Sequence, residues 1–480
     1  MEESALRKLY DPEIFRRQGH DLIDHLADSL KASLNAEDLI KVTNGVNPQD
    51  EYEFWMSNSY FDVDQFFRTI TERSIKLHHL RFMGHQVSPP APLSVLASLQ
   101  GAFLNNGMAL FEMGPAASAL ERMVVEKFRS YFGFHQGTGV MTSGGTIANL
   151  TALICARNVK AKGVLWNEGQ TENYAFMVSD EAHYCIDRAV KIMVWGDRGL
   201  IRIPVDDQFR MRTDLLEENL IKAQQKGVIV LGVIGSAPST SSGIYDDLDA
   251  IGSFCSEHHL WYHIDAAHGG PAAFSEKFKY LMSGSQKANS ITVDAHKMMM
   301  TPALTTMLLF RDDEDSFRTF AQKAQYLWNE SEEEWFNYGK RTLECTKVML
   351  SIRVWVLIQT YGIDIFEKYL DACYQLGRTF ADMIRKESCL ELPVSPDSNI
   401  VCFRVRAANN LLSDNINRQI RNKVYQEGKF YIVQTTLNGN VYLRVSLMNP
   451  FTTTNDLKSL IHSIKIIYEN LTTEQNELFN

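Results

Sequence analysis

Residues 228–270 read VIVLGVIGSAPSTSSGIYDDLDAIGSFCSEHHLWYHIDAAHGG, and this stretch decides the fold class. An apolar run, Val228–Gly235, is followed by a helical pattern over Leu248–His258 and then by a second apolar run, Leu260–Asp265. Two buried strands joined by a helix form a βαβ unit, in which the strands run parallel. The stretch therefore predicts a parallel sheet that is covered by helices on both faces.

The same alternation continues on both sides of this stretch. Further apolar runs with the length of strands are Gly139–Thr142, Tyr174–Ser179, Ser290–Asp294 and Leu304–Phe310. A helix is predicted over Thr146–Asn158, directly after the first of these runs. The pattern indicates an α/β fold with a mainly parallel central sheet, whose ligands bind at the carboxyl ends of the strands.

Other segments flank this central sheet. Asp11-Pro12 predicts the start of a helix over residues 12–33, and Leu22, Leu26 and Leu30 form an apolar stripe along it. An apolar helix over Met349–Tyr361 leads into a small α+β region. Its predicted strands lie near Ile400–Val405 and Val441–Leu447. We predict an N-terminal helical dimerisation segment (1–95), a large α/β domain (96–355) and a small C-terminal α+β domain (356–480).

Composition argues against several classes of protein. The 480 residues carry 48 Lys and Arg against 58 Asp and Glu, and this net charge of −10 argues against a general nucleic-acid binder. No apolar run approaches the roughly 20 residues that cross a bilayer, and MEESALRKLYDPE lacks the apolar core of a signal peptide. The seven cysteines are scattered without a CxxC pair, which argues against a disulfide framework or a structural zinc site. We expect a soluble, reduced, cytoplasmic protein.

Polar residues follow four of the predicted strands. Thr142-Ser143-Gly144-Gly145-Thr146 joins a strand to a helix, where glycines and helical N–H groups can bind a phosphate. Taken alone, a Gly-Gly pair is more often an ordinary tight turn. His183, in Ser179-Asp180-Glu181-Ala182-His183, follows another strand and could stack on a planar ligand.

The third segment, Tyr262–Gly270, ends a strand with Asp265. A buried carboxylate is costly unless it meets a cation, so Asp265 could pair with a protonated ring nitrogen. His263, Asp265 and His268 could instead ligate a metal, but their spacing matches no standard site, so no metal is expected.

The fourth segment is Asp294-Ala295-His296-Lys297. Lys297 lies at a strand end in an apolar run, where loss of water makes the amine a nucleophile. The four segments together supply the parts of a pyridoxal phosphate site: a phosphate cup, a stacking His, an Asp for a ring nitrogen and a Schiff-base Lys.

From about His79 to Pro450, the chain resembles the group II pyridoxal-phosphate-dependent amino-acid decarboxylases. That family includes glutamate, cysteine sulfinate, diaminobutyrate and aromatic amino-acid decarboxylases, and the resemblance implies their fold type I architecture. The motifs that carry it are TSGGTIANLTAL (142–153), SDEAHYCIDRA (179–189), WYHIDAAHGG (261–270) and NSITVDAHKMM (289–299).

The resemblance implies a role for each matched residue. Lys297 would hold the cofactor, Asp265 would pair with the pyridine nitrogen, and His183 and Ala267 would pack on the two faces of the ring. The phosphate would lie against Gly145 and Thr146, with His296 close by. The cofactor-binding residues implied are Gly145, Thr146, His183, Ser239, Asp265, Ala267, His296 and Lys297.

Three positions depart from the family pattern. Ala237-Pro238-Ser239-Thr240 replaces the usual Ala-Gly-Thr-Thr, and His268 replaces the usual Trp or Tyr after Asp-Ala-Ala. The mobile loop, here Gln325–Cys345, is shortened and has no clear match for the family's proton-donating Tyr. Tyr338 and Tyr326 are the candidates for that role, and we name Tyr338 with Lys297 and His183 as catalytic.

The expected activity is α-decarboxylation of an L-amino acid to an amine and CO2. His85 and Gln86 lie in the stretch that resembles the family's substrate pocket, which favours a small polar or acidic substrate such as glutamate, aspartate or diaminobutyrate. The alternatives are an aromatic amino acid, an oxidative deamination that gives an aldehyde, or a catalytically inactive binding relative. The resemblance also implies a homodimer, in which Gln325–Cys345 completes the partner's active site.

Overall fold

The structure is a computed structural model that describes residues 2–35, 40–58, 62–170, 172–320 and 335–479. Its strands are β1 (Thr138–Thr142), β2 (Asn173–Ser179), β3 (Leu200–Ile203), β4 (Val228–Ser236), β5 (Trp261–Asp265), β6 (Ser290–Asp294), β7 (Thr306–Phe310), β8 (Leu390–Glu391), β9 (Ile400–Val405), β10 (Val433–Leu437) and β11 (Asn440–Ser446).

Its helices are α1 (Glu2–Leu9), α2 (Pro12–Leu34), α3 (Pro48–Ser57), α4 (Val63–Arg73), α5 (Pro92–Leu104), α6 (Pro115–Arg129), α7 (Gly145–Lys160), α8 (Val164–Glu168), α9 (Cys185–Ile192), α10 (Leu216–Gln225), α11 (Leu248–Glu257), α12 (Ala295–Met298), α13 (Asp315–Phe320), α14 (Ser351–Tyr361), α15 (Asp364–Arg385), α16 (Asn410–Glu427) and α17 (Thr454–Phe479).

The chain divides into two compact units. The larger comprises residues 86–381 and 393–402, and the smaller comprises 1–85, 382–392 and 403–480. This division differs from the three predicted segments because the N-terminal segment and the C-terminal sheet count as one unit. Phe82 bridges to Tyr431 in the manner of a parallel strand, and their rings stack with centroids 5.4 Å apart. Such contacts join residues that are far apart in sequence, so no local pattern reveals them.

The larger unit is built on a seven-stranded sheet with the order β1-β7-β6-β5-β4-β2-β3. Strands β6, β5, β4, β2 and β3 run parallel to one another, while β7 runs antiparallel to both β6 and β1. β1, β6 and β7 are buried along their whole length, as expected for strands with helices on both faces. The predicted mainly parallel sheet is confirmed, and β6, β5, β4 and β2 bring their carboxyl ends to one edge.

The predicted strands agree with the structure to within two residues at each end, and β3 was missed. β3 spans four residues at the edge of the sheet and is only partly buried, so its sequence lacks the apolar run that marks the others. β8 and β10 of the smaller sheet were missed as well. β10 alternates between buried and exposed residues and is paired with β11 in an antiparallel hairpin.

The smaller unit combines the N-terminal helices with a four-stranded sheet of order β10-β11-β9-β8. Helix α2 starts as predicted: Oδ1 of Asp11 accepts the N–H of Glu13 at 2.8 Å, and Pro12 is the first helical residue. Such a cap stabilises a helix by about 1 kcal/mol. The apolar stripe of α2 is incompletely covered, since the Leu26 side chain is 40% exposed. In the part of the chain that the structure describes, no helix combines the length and apolar character needed to span a bilayer.

Candidate active site

Between β1 and α7 the chain forms a cup of backbone amides. Gly144 has a φ of 105°, in the left-handed region that favours glycine, and a Cβ on Gly145 would lie 3.0 Å from both carboxylate oxygens of Asp294. The first N–H groups of α7 have no partner within the helix, and the helix dipole adds positive character there. The turn is therefore suited to bind an anion such as a phosphate group.

Asp265 ends β5 at the same edge of the sheet. Its Oδ2 accepts a hydrogen bond from Nδ2 of Asn149 at 2.8 Å, and its Oδ1 accepts the N–H of Ala267 at 3.2 Å. A carboxylate held in this way can pair with a protonated ring nitrogen.

His183 lies in the turn between β2 and α9. Its Nδ1 accepts the N–H of Cys185 at 3.2 Å, so the proton of the neutral ring lies on Nε2. Burial lowers the pKa of His183, and the positive charge of Lys297 adds to this effect, although Asp265 opposes it. The ring is thus a flat, uncharged surface that can stack on a planar ligand.

Lys297 lies in the single turn of α12 that follows β6. Its Nζ is 2.8 Å from Oδ2 of Asp294, and its side chain is 21% exposed. Burial by itself would lower the pKa of Lys297, but the charges of Asp294 and Asp265 outweigh it and raise that pKa. The pKa of Asp294 is lowered by Lys297 and His296 in spite of burial. The amine is therefore held as half of an ion pair.

Ser239 and His296 complete the predicted set. The hydroxyl of Ser239 donates to the carbonyl of Glu181 at 3.0 Å, and Nε2 of His296 lies 3.6 Å from Oδ2 of Asp294. A cavity of about 250 Å³ is lined by all eight predicted cofactor residues: Gly145, Thr146, His183, Ser239, Asp265, Ala267, His296 and Lys297. The structure brings them together because each follows the carboxyl end of a strand or begins a helix at that edge.

Two residues of this cavity were missed in the sequence. Asn149 lies one turn into α7, four residues after Gly145, and its polar side chain in the apolar run ANLTAL was the available signal. Asp294 precedes Lys297 by three residues, the spacing at which side chains on one helical turn meet.

The predicted proton donor Tyr338 does not line the cavity. It is 2% exposed, its hydroxyl donates to the carbonyl of Ser118 at 3.4 Å, and Nζ of Lys347 lies 4.6 Å from its ring centroid. Burial raises the pKa of Tyr338 well above its ordinary value. Its surroundings therefore give no support to the predicted catalytic role.

The predicted loop Gln325–Cys345 is described only from residue 335 onwards, so Tyr326 lies outside the described residues. Within the described part, Oε2 of Glu344 accepts the N–H of Ser143 at 3.2 Å, beside the amide cup. This segment therefore reaches the site through Glu344 rather than through Tyr338.

The two predicted substrate residues belong to different units of the structure. His85 belongs to the smaller unit, where its ring centroid is 5.9 Å from that of Tyr431. Gln86 belongs to the larger unit, is buried, and is not among the side chains that line the cavity there. Their role toward a substrate stays a prediction.

The alternative of a metal site receives no support. Both ring nitrogens of His263 are engaged, Nδ1 with Oγ of Ser290 at 2.8 Å and Nε2 with Oδ1 of Asn149 at 3.0 Å. Nε2 of His268 lies 2.8 Å from Oδ1 of Asn399. Within the described ranges, no three His, Cys, Asp or Glu side chains are arranged to hold a metal ion.

The arrangement fits pyridoxal 5'-phosphate. The amide cup would hold the phosphate, because the first N–H groups of α7 have no partner within the helix and the helix dipole favours an anion there. Asp265 would hold a proton at the ring nitrogen, and Lys297 supplies the amine that attaches the aldehyde. His183 and Ala267 provide a flat ring and a small side chain for the two faces.

Comparison with known proteins leads to the same family. The Pyridoxal-dependent decarboxylase conserved domain matches residues 71–406. An aromatic-L-amino-acid decarboxylase of Bacillus atrophaeus is 27% identical over 434 residues, which cover 89% of this chain and 86% of that protein. An L-2,4-diaminobutyrate decarboxylase of Acinetobacter baumannii is 26% identical over 421 residues, which cover 84% of this chain and 82% of that protein.

A crystal structure of mouse CSAD has the same fold, with a TM-score of 0.88 at 23% identity and coverage of 95% of this chain and 99% of that chain. The domain match covers well over half of the sequence and includes every residue that lines the cavity. The resemblance drawn from the motifs is thereby confirmed, and with it the cofactor and the class of reaction. The chain belongs to the pyridoxal-dependent decarboxylases, carboxy-lyases that remove CO2 from amino acids with pyridoxal 5'-phosphate as cofactor.

Proposed function

We propose that this decarboxylase acts on a small L-amino acid with a polar or acidic side chain, such as glutamate, aspartate or 2,4-diaminobutyrate. The observation that carries the proposal is the chemistry of the cavity wall. Among the described residues that line the cavity there is no Phe, Tyr or Trp, and the side chains beyond the cup include Ser239, Thr240 and His268. Small-molecule pockets are lined predominantly by apolar and aromatic side chains, and this wall is more polar than that, which supports a polar substrate.

The relatives leave this choice open. By their names, one acts on aromatic L-amino acids and another on L-2,4-diaminobutyrate, and their identities to this chain are nearly equal. His268, at a position where the resembling family usually has Trp or Tyr, makes the cavity wall more polar and supports the polar substrate. We also propose that Gln86 contacts the side chain of the substrate. The proposed location of the protein is the cytoplasm.

Each residue of the cavity has its own role in the proposed reaction. Pyridoxal phosphate, when bound, supplies an aldehyde for the substrate amine and a ring that accepts the electron pair left behind by CO2. The amides at Gly145 and Thr146 bind the phosphate, and Asp265 holds the proton at the ring nitrogen. Lys297 carries the cofactor and accepts or returns a proton at Nζ. The uncharged ring of His183 excludes water from one face.

A panel of amino acids tests the proposed substrate class. The cofactor-loaded protein is incubated with glutamate, aspartate and 2,4-diaminobutyrate on one side and with phenylalanine, tyrosine and tryptophan on the other, and kcat/KM is taken from CO2 release. The Lys297→Ala protein measures the background. We expect the highest kcat/KM for a polar substrate; a preference for an aromatic one would contradict the proposal and leave the family assignment intact.

We further propose that the chain forms a homodimer with its active sites at the interface. Helix α5 of the larger unit supports this, because its exposed side chains include Leu96, Leu99 and Phe103, spaced so that they share one face. Leu99 is 50% exposed and Phe103 is 70% exposed. An apolar face of this kind is typical of an interface, and stable homodimers bury about 2,000 Å² or more in total.

Replacing Leu99 with glutamate is expected to weaken the dimer by at least about tenfold in dissociation constant, because the variant would bury a charge. The matched control is Leu411→Glu, in which the replaced leucine lies on α16 and is 81% exposed. Light scattering gives the mass, and decarboxylation should fall in proportion to the remaining dimer. A fully active monomer would rule out a site completed by the partner.

Removing the charge of Asp294 is expected to accelerate attachment of an aldehyde to Lys297. Asp294→Asn leaves Lys297 without its nearest carboxylate, so the pKa of the amine should fall. Below its pKa the amine is mostly protonated and unreactive, so at pH 8 the variant should react about tenfold faster or more. Attachment is measured with pyridoxal, which lacks the phosphate, by borohydride reduction and mass spectrometry.

Thr306→Val is the control for this prediction. The hydroxyl of Thr306 donates to Oδ1 of Asp294 at 2.5 Å, so its loss removes a hydrogen bond but leaves the charge in place. We expect its rate to stay near that of the unaltered protein. An equal or slower reaction in Asp294→Asn would show that the ion pair does not restrain Lys297.

A further inference from the structure

We propose that Trp261, Ser290, His263 and Asn149 form a buried chain of hydrogen bonds with a fixed direction, which positions Asp265 for the cofactor's ring nitrogen. These four are positioning residues, since they act on the cofactor's ring nitrogen through Asp265. The inference rests on the proposed role of Asp265, and it assigns that role to a network rather than to one carboxylate.

The chain is continuous from the core of the sheet to the site. Nε1 of Trp261 lies 3.0 Å from Oγ of Ser290, which lies 2.8 Å from Nδ1 of His263. Nε2 of His263 lies 3.0 Å from Oδ1 of Asn149, whose Nδ2 lies 2.8 Å from Oδ2 of Asp265. All four positioning side chains are buried, so water does not compete for these bonds.

The two ends of the chain fix the role of every atom in it. Indole Nε1 can only donate, and an ionised carboxylate can only accept. Asn149 therefore presents its NH2 group to Asp265 and its oxygen to His263, because the flipped amide would bring two acceptors together. Nε2 of His263 must then carry the proton, its Nδ1 must accept from the hydroxyl of Ser290, and the oxygen of Ser290 accepts from Trp261.

His263 suits this arrangement because it stays neutral. Burial lowers the pKa of His263 to about 4, although Asp265 opposes the shift. A neutral ring has one donor and one acceptor nitrogen, which is what a chain with one direction requires. A histidine that titrated near neutrality would lose its acceptor and break the bond to Ser290.

The consequence for Asp265 is a carboxylate held at both oxygens. Asn149 donates to Oδ2 and the backbone of Ala267 donates to Oδ1, and the second proton of the Asn149 amide points to the sulfur of Cys185, 3.2 Å away. Loss of the bond from His263 removes the donor that holds the oxygen of this amide, so the amide can rotate. The carboxylate would then lose the donor that stabilises its charge and fixes its plane.

Two substitutions at His263 distinguish the effect of losing its hydrogen bond from the effect of losing the ring. The amide of His263→Gln can still donate to Asn149, whereas His263→Leu fills similar space without a donor. The cofactor is loaded with ¹⁵N at its ring nitrogen, and its resonance reports whether that nitrogen is protonated. In His263→Leu we expect the resonance to move toward the unprotonated value and kcat to fall about tenfold with little change in KM. In His263→Gln both should stay near those of the unaltered protein.

Two further variants keep the test decisive. Tyr374→Phe removes another buried hydrogen bond of the larger unit, to the hydroxyl of Tyr245 at 2.7 Å, and should lower the melting temperature without moving the resonance. Equal impairment of His263→Gln and His263→Leu, or an unmoved resonance in His263→Leu, would overturn the network. Asp265→Asn is the reference variant. An unmoved resonance in Asp265→Asn would overturn the role of Asp265 itself. A resonance that moves in Asp265→Asn but not in His263→Leu would leave that role standing and reject only the network.

Discussion

Replacing Lys297 with alanine is expected to abolish covalent attachment of pyridoxal phosphate and to reduce turnover by at least about a thousandfold. Nζ of Lys297 lies 2.8 Å from Oδ2 of Asp294 at the edge of the cavity. No other lysine is found among the described residues that line the cavity. The loss should be large because one group both holds the cofactor and moves protons. The measurement is borohydride reduction followed by peptide mapping, alongside the visible absorbance of the linked cofactor.

A matched control is Lys277→Ala, which removes a lysine whose side chain is mostly exposed and which pairs only with Asp371 in the described structure. It should keep both the linkage and the activity. A borohydride-stable label that persists in Lys297→Ala would mean that another lysine holds the cofactor, and the assignment of the site would then be wrong.

The second large effect is expected for Asp265→Asn. The amide keeps the shape of the carboxylate but cannot hold a proton at the ring nitrogen, so the ring becomes a weaker acceptor of electrons. Electrostatic groups in such positions commonly contribute about a hundredfold or more to kcat. We expect a fall of that size in kcat, a smaller change in KM and weaker binding of the cofactor.

The control for this variant is Asp414→Asn in the smaller unit. Asp414 is also buried, and its Oδ1 accepts the N–H of Val441 at 2.8 Å, so the substitution imposes a similar structural loss away from the cavity. Its kcat should be nearly normal. A near-normal kcat in Asp265→Asn would show that this carboxylate does not face the cofactor.

The sequence predicted the central sheet and the cavity well for a shared physical reason. Strands such as β5 and β6 are buried on both faces, so their apolar runs are visible without any knowledge of their neighbours. Asp265 ends β5, and Lys297 lies three residues after the end of β6. Since the carboxyl ends of parallel strands meet at one edge, the position of each residue in the sequence predicted that they would converge.

What the sequence did not reveal depends on contacts between distant segments. Asn149 and Asp265 are 116 positions apart, and no spacing rule connects a helix residue to a strand end at that distance. The union of the N-terminal segment with the C-terminal sheet has the same origin, in the pairing of Phe82 with Tyr431. Tyr338 was predicted from its residue type and its place in the segment 325–345, and its packing against Lys347 and Ser118 could only be seen in the fold.

The stoichiometry of products tests the central claim most directly. The cofactor-loaded protein is given its preferred amino acid from the panel, and CO2, amine, aldehyde, ammonia and peroxide are all quantified against substrate consumed. We predict one CO2 and one amine for each amino acid, without peroxide. Aldehyde, ammonia and peroxide in place of the amine would contradict simple decarboxylation, and failure to release CO2 from any amino acid with the cofactor bound would contradict the enzymatic function altogether.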